Sequence, residues 1–372
     1  MLQNKIYQNF STEIIKTFLM ILFGLSLIAL TVRAVNFLDL VVDNGYSVST
    51  YLKYSFINLF SIAPKFIPLS FLLALSIFII KHLHDSEFVI LWTSGVKKIQ
   101  IVNLFFSISI AVLIFYLILS TIITPFALNK SRQLLGADNV NSFLPTIKSQ
   151  RFSDSFKGLT VIVEKKINNQ LENIFLHDKS NNLKGLSSNT SDQSTTTIIA
   201  KNGIVKKNVM LLLNGQIIST RKNSDSEIIK FDQLNIDLSN LTTTTIKKPK
   251  IQERSTLILL SCFIERNKKE FCTEEYKKEI ISTLNRRMTI PFYLPVLSLI
   301  CSLLLIKSKE KFFNKISIFF YGFLILLFTE LAVRYTGIRK PILTVFIILP
   351  FIMFSSLYMF LIYKFTKEAS IK

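Results

Sequence analysis

FLLALSIFIIKHLHDSEFVILWTSGVKKIQIVNLFFSISIAVLIF, residues 71–115, passes from an apolar run through a polar stretch into a second apolar run. A hydrocarbon core ~30 Å thick takes roughly 20 apolar residues of helix, and each run extends to about that length. The piece between them, His84–Lys98, carries charges at both ends, a lone Trp92 and Gly95 near its close. It is too polar to cross a bilayer. A short helix-like segment with Glu87 at its front therefore sits between two membrane spans.

The same pattern recurs along the chain. Half of the 372 residues are hydrophobic and 33 are Phe, with mean hydropathy +0.43. Six spans are predicted, near Ile14–Val32, Phe56–Ile80, Ile99–Phe126, Met288–Ile306, Ile316–Arg334 and Ile342–Tyr363. Pro64 and Pro68 fall early in the second. The formal charge of +20 is not read as a nucleic-acid footprint, because Lys concentrates on cytoplasmic loops of membrane proteins. In the short segments, eleven Lys lie on the side of Lys5, Lys97, Lys98 and Lys315. Five cations lie on the side of Arg33, Lys53 and Arg334. The first side is therefore expected to be cytoplasmic, with both termini inside and the segment between spans three and four outside. The first apolar run is too long for a cleaved signal, and no small-residue cleavage site follows it.

That segment changes character. After Phe152, LTVIVEKK, IFLHDK, TTTIIAKNGIVKK, VMLLLNGQIIST and EIIKFDQLNIDL read as strands. Asn202-Gly203 and Asn214-Gly215 are turn signals, since Asn and Gly tolerate positive φ. The expectation is an all-β sandwich or jelly roll, with Ile198, Ile204, Val209, Leu211 and Leu213 facing inward. The Ser/Thr/Asn-rich insert near 180–197 reads as loop. Three domains are predicted. Residues 1–128 hold three spans with the connector at 84–98, 129–280 form the β domain with flanking helices, and 281–372 hold three more spans. Cys262 and Cys272 stand ten apart without a CxxC pattern, so no disulfide framework or zinc site is indicated, although a bridge between them is open.

The connector has helix grammar: Ser86 or Asp85 at the cap, Glu87 at the positive end of the dipole and Gly95 at the close. Two readings fit it, an interfacial connector anchored by Trp92 and a docking helix for a cytoplasmic partner. His82 and His84, two apart, do not share a helix face and are not read as metal ligands; His177 is expected at the surface. No catalytic constellation and no P-loop are visible, so no enzyme and no cofactor is expected, and ATP-driven work needs a separate ATPase. Charges beside spans are costly in lipid. Glu330 and Arg334, four apart, are expected to pair along one helix. Arg33 and Lys65 either snorkel to headgroups or form a cationic rim for a phosphorylated lipid.

The order of three spans, an external β domain and three spans, with SEFVILWTSGVKKIQI after the second span, AKNGIV and LNGQ in the β domain and EIISTLNRRMTIPFYLPVLSL opening the fourth span, resembles the lipopolysaccharide-export permeases of the LptF/LptG type. LNRR leans to the LptF side, whereas IAPKFIP also suits LptG. The resemblance covers essentially the whole chain. It implies an inner-membrane subunit that, with a homologous permease, extracts lipopolysaccharide and passes it to a periplasmic β-jelly-roll bridge protein. A cytoplasmic ATPase dimer would dock on the connector through Glu87, with Ser86, Trp92 and Gly95 shaping the segment. Arg33 and Lys65, and more weakly Arg334, would stand where cavity cations meet phosphates. Two alternatives are a permease for another lipid or a lipoprotein, and a non-catalytic membrane scaffold.

Overall fold

The computed structural model describes residues 2–38, 41, 48–137, 147, 149–156, 158–167, 169–179, 195–206, 209–220, 226–237, 250–264, 272–306, 315–338 and 340–370. Six helical segments among them are long and apolar enough to cross a membrane. They are α1 (Leu2–Phe37), α2 (Val48–His84), α4 (Lys98–Ile118) continued through a π turn at Leu119–Ile123 into α5 (Thr124–Ala137), α7 (Glu274–Met288) continued into α8 (Tyr293–Ser302), α9 (Lys315–Thr336) and α10 (Lys340–Ser370). At 1.5 Å per residue the 37 residues of α2 extend about 55 Å, well beyond the apolar slab. Polar turns thus extend α2 past its apolar run at both ends. The connector forms a separate short helix, α3 (Glu87–Thr93).

The chain groups into two compact units. The first comprises residues 1–31, 57–129 and 250–372. Its centre is the fourth span. Every described α8 residue except Pro295 is buried, and it packs among Phe71, Leu75, Ile101 and Phe105 of α2 and α4. The first, fifth and sixth spans are far more open. Met20, Phe23 and Ile28 on α1 and Ile316, Phe320 and Leu331 on α9 are exposed, as befits surfaces that meet lipid or protein rather than water.

A short disulfide-linked hairpin lies in the same unit. Cys262 at the end of α6 (Thr256–Ile264) bonds to Cys272 just before α7, with Cα atoms 5.5 Å apart. The bridge that the sequence leaves open is thus formed. Spacing alone could not signal the bond, because the chain must reverse between α6 and α7 to bring the two thiols together. Ile251, Leu259, Ile280 and Leu284 pack as a small core beneath it.

The second unit comprises residues 32–56 and 130–249. The end of α1 and the start of α2 meet in it: the Tyr51 hydroxyl donates to the Ala34 carbonyl at 3.0 Å, and Phe37 stands edge-on to Tyr54. The all-β insertion is a six-stranded antiparallel sheet in the order β1-β2-β3-β4-β5-β6. The strands are β1 (Ser153–Phe156), β2 (Leu159–Ile167), β3 (Gln170–Asp178), β4 (Thr195–Lys206), β5 (Val209–Thr220) and β6 (Ser226–Asp237). Consecutive strands are neighbours, so the described connections are those of a meander. β4 absorbs the end of the Ser/Thr/Asn-rich insert; residues 180–194 lie outside the described residues.

Two expectations about this sheet are corrected together. Asn202-Gly203 and Asn214-Gly215 lie inside β4 and β5, not at turns. Asn173 and Asn214 have φ of 48° and 53°, and both stand beside Lys201 in the register, between the pairs Ile174↔Ala200 and Glu172↔Asn202 on one side and Ala200↔Gly215 and Asn202↔Leu213 on the other. This row works like an aligned set of bulges. On β3 the buried positions change from Leu171 to Ile174 and Leu176, on β4 from Ile198 and Ala200 to Val205, and on β5 from Met210 and Leu212 to Ile217. Inward parity flips across the row. Ile198 therefore faces the core as expected, whereas Ile204, Leu211 and Leu213 are only half-buried and Val209 is exposed. Gly215 is needed in this row, since a Cβ there would run into the Ile199 carbonyl and the Phe231 ring.

Candidate functional site

α3 is too short to hold itself together as an isolated helix. Its stability comes from one buried face, Phe88 and Leu91, while Val89 and Ile90 remain exposed. Phe88 sits among the rings of Phe10, Phe78 and His82. Ser86 occupies the cap position, but its φ is +60° and its side chain makes no capping bond. Its carbonyl instead accepts from Val89 and Ile90. The left-handed backbone turns the chain sharply out of α2 and carries the hydroxyl away from the helix end. Gly95, at φ +94°, closes the segment as expected, with the Val96 amide donating back to Leu91.

Trp92 is half-buried against its own neighbours. It stacks on Phe88 with 12° between the rings, and Lys98 Nζ lies 4.7 Å from its ring centroid. Lys98 also donates to the Leu305 carbonyl at 3.0 Å and to the Glu368 carboxylate. The basic end of the connector therefore ties inward through Lys98, to the end of α8 and to α10, while Lys97 stays exposed.

At its acidic end, Glu87 is about half exposed and places Oε2 3.3 Å from Nε2 of buried His82. The same nitrogen lies 3.4 Å from Glu13 Oε2 on α1, and Lys81 Nζ donates to Glu13 at 2.7 Å. The sequence does not signal this cluster, because Glu13 is far from His82 in the chain and Glu87 meets it only through the turn at Ser86. His84 is exposed and pairs with Asp85. His177, expected at the surface, is half-buried on β3 with Nδ1 2.9 Å from Thr197 Oγ1.

A second feature lies in the same unit, seventeen or more residues before His82 along α2, roughly 25 Å at helical rise. A cavity of about 120 Å³ is lined by Ser61 and Lys65 of α2, Tyr116, Ser120, Thr124, Gln252, Glu279, Arg286 and Glu330, among others. The expected pair between Glu330 and Arg334 is corrected: Glu330 accepts from Arg286 Nη2 of α7 at 2.8 Å, and Arg334 is exposed and does not line the cavity. α7 runs so close to α9 that a Cβ on Gly337 would strike the Lys278 backbone, which brings Arg286 within reach. Arg287, next in sequence, is buried and does different work. Its guanidinium donates to the Arg254 and Gln252 carbonyls and to Thr256 Oγ1. Thr256 in turn donates to the Thr121 carbonyl in the π turn, and Ser120 donates to the Arg287 carbonyl. The extra residue of the π turn supplies this cross-bracing. Lys65 is exposed. Arg33 is half-buried, belongs to the second unit and makes no ion pair among the described residues.

Six apolar spans, a β insertion between the third and fourth, and a two-faced helix between the second and third are the background to one match. Residues 10–364 fit the family described as lipopolysaccharide export system permease LptF/LptG. The chain belongs to that family. No curated protein matches it. Membership and the six spans make this LptF/LptG permease a multi-pass inner-membrane protein of lipopolysaccharide transport. In an LptF/LptG permease, polar side chains gathered between spans, as in the Lys65–Arg286–Glu330 cavity, stand out because burying them in lipid is costly.

Proposed function

We propose that this permease is one of two homologous subunits of an ATP-driven exporter that extracts lipopolysaccharide from the outer leaflet of the inner membrane and passes it to a periplasmic bridge of similar β domains. The observation that carries this reading is α3. It is pinned to the spans by Phe88 and Leu91 while Glu87, Val89 and Ile90 stay open. Such a helix suits insertion into a groove of a separate ATPase dimer, with Glu87 meeting a cation there, Ser86 and Gly95 setting its two turns and Trp92 holding it on Phe88.

Further features support the arrangement. The cation bias puts both termini and α3 in the cytoplasm and residues 129–280 outside, and the Cys262–Cys272 bond suits an oxidising compartment on that side. The open apolar faces of α1 and α9 suit a cavity shared with the second permease. Arg33, Lys65 and Arg334 then supply cations for lipid phosphates on the outer side. In this reading residues 1–128 and 281–372 form the transport unit and 129–280 the periplasmic unit.

Mass spectrometry of native lipids co-purified with the complex tests it. Lipopolysaccharide in a complex that also retains an ATPase is the expected result. Another lipid or lipoprotein in its place, or no ATPase, would overturn it.

A further inference from the structure

His82 is 3% exposed and sits where three elements meet. Its Nδ1 lies 2.9 Å from the Phe78 carbonyl oxygen, which can only accept, so Nδ1 carries a hydrogen. Its Nε2 faces Glu13 Oε2 of α1 at 3.4 Å and Glu87 Oε2 of α3 at 3.3 Å. Nε2 thus faces both carboxylates, whose outer sides remain open, and through its two nitrogens the ring links the Phe78 carbonyl to Glu13 and Glu87. The rings of Phe10, Phe78 and Phe88 enclose it. Lys81 holds the other Glu13 oxygen, and Asp85 and His84 lie outside at the turn.

We propose that His82 is a positioning residue that ties Glu87 of the docking helix to Glu13 at the start of the first span. The inference rests on the docking-helix reading and deepens it. Glu87 is only half exposed, so a partner cation that takes hold of it competes with His82. Each engagement and release then changes whether His82 is shared between the two carboxylates or faces Glu13 alone. The first span, one of the open-faced helices, is thereby informed of the state of the docking helix without touching the partner.

The test uses the whole exporter, reconstituted with its ATPase, and reads lipopolysaccharide released per ATP hydrolysed. His82→Phe keeps an aromatic ring among aromatic rings and removes both ring nitrogens with their contacts to Phe78, Glu13 and Glu87. The complex is expected to keep its ATPase and continue hydrolysis, while release per ATP falls about tenfold, in line with a lost charge-assisted contact. His82→Lys, which returns a hydrogen-bond donor to the site, is expected to recover most of the loss. Unchanged release per ATP in His82→Phe, or no recovery in His82→Lys, overturns the proposal. Should His82→Phe fail to assemble, Glu13→Gln leaves His82 and Glu87 packed and must lower the same ratio; a wild-type ratio there also overturns it. Loss of ATP-dependent release from the unmutated complex is a different outcome, and would remove the docking reading itself.

Discussion

Two adjacent arginines illustrate how far residue type is from residue role. Arg286 reaches Glu330 across a gap where both side chains are 38% and 51% exposed, and such pairs contribute ~1 kcal/mol or less. Arg287 is buried and satisfies two carbonyls and a hydroxyl. Arg287→Met is expected to cost about 2–4 kcal/mol by leaving those acceptors unpaired, and Arg286→Met less than about 1 kcal/mol. Thermal melting of the detergent-solubilised protein should separate the two; equal shifts would contradict the assignment. Glu87→Arg addresses function at the same scale. It replaces an anion by a cation beside His82 and towards the partner, so ATPase co-purification and export should both be lost while membrane insertion persists. Wild-type export with a normally retained ATPase would count against the docking role.

Among elements, α7 and the end of α9 approach closely. A Cβ on Gly337 would meet the Lys278 backbone, which cannot rotate away as a side chain can. Gly337→Ala is therefore expected to cost roughly 1–3 kcal/mol through overpacking, and to loosen Arg286 from Glu330; an unchanged melting temperature would show that the two helices can part freely. The Cys262–Cys272 bond closes a loop of ten residues, for which chain-entropy reasoning gives roughly 2.5 kcal/mol. Alkylation before and after reduction should find these two thiols protected only while the bond is intact. These elements also mark the limits of sequence reading. Span number, the β insertion and the Gly95 closure were legible because apolar run length and positive φ are local properties. The disulfide, the Arg286–Glu330 pair and the His82 cluster were not, since each depends on which helices become neighbours. The β sheet shows the same limit within a strand. Alternation predicts Ile198 correctly, then loses phase at the row of Asn173, Lys201 and Asn214, where left-handed backbone at the two asparagines goes with a change of inward face.

At the scale of the whole molecule, the fourth span is the most buried of the six and the first, fifth and sixth spans are the most open. Neutralising Arg33 and Lys65 together is expected to weaken photo-crosslinking to lipopolysaccharide more than either change alone. Crosslinks formed only to neutral phospholipid would argue against a phosphate role. The β sheet has β1 and β6 at its edges among the described residues, and an edge can accept a strand from another chain. If this domain joins a bridge, deleting residues 152–245 should leave ATP hydrolysis and complex assembly in place yet stop lipopolysaccharide from leaving the membrane; normal release after the deletion would reduce the domain to a lid.

Lys98 carries a practical consequence. Its ammonium reaches Glu368, near the end of α10, and also lies over the Trp92 ring. Tags, linkers or fusion partners joined close to Glu368 are therefore connected through Lys98 to the Trp92 ring of α3, although Lys98 and Glu368 stand 270 residues apart in the chain. If α3 docks an ATPase as proposed, fluorescent reporters placed there would record its movement, and would also load it.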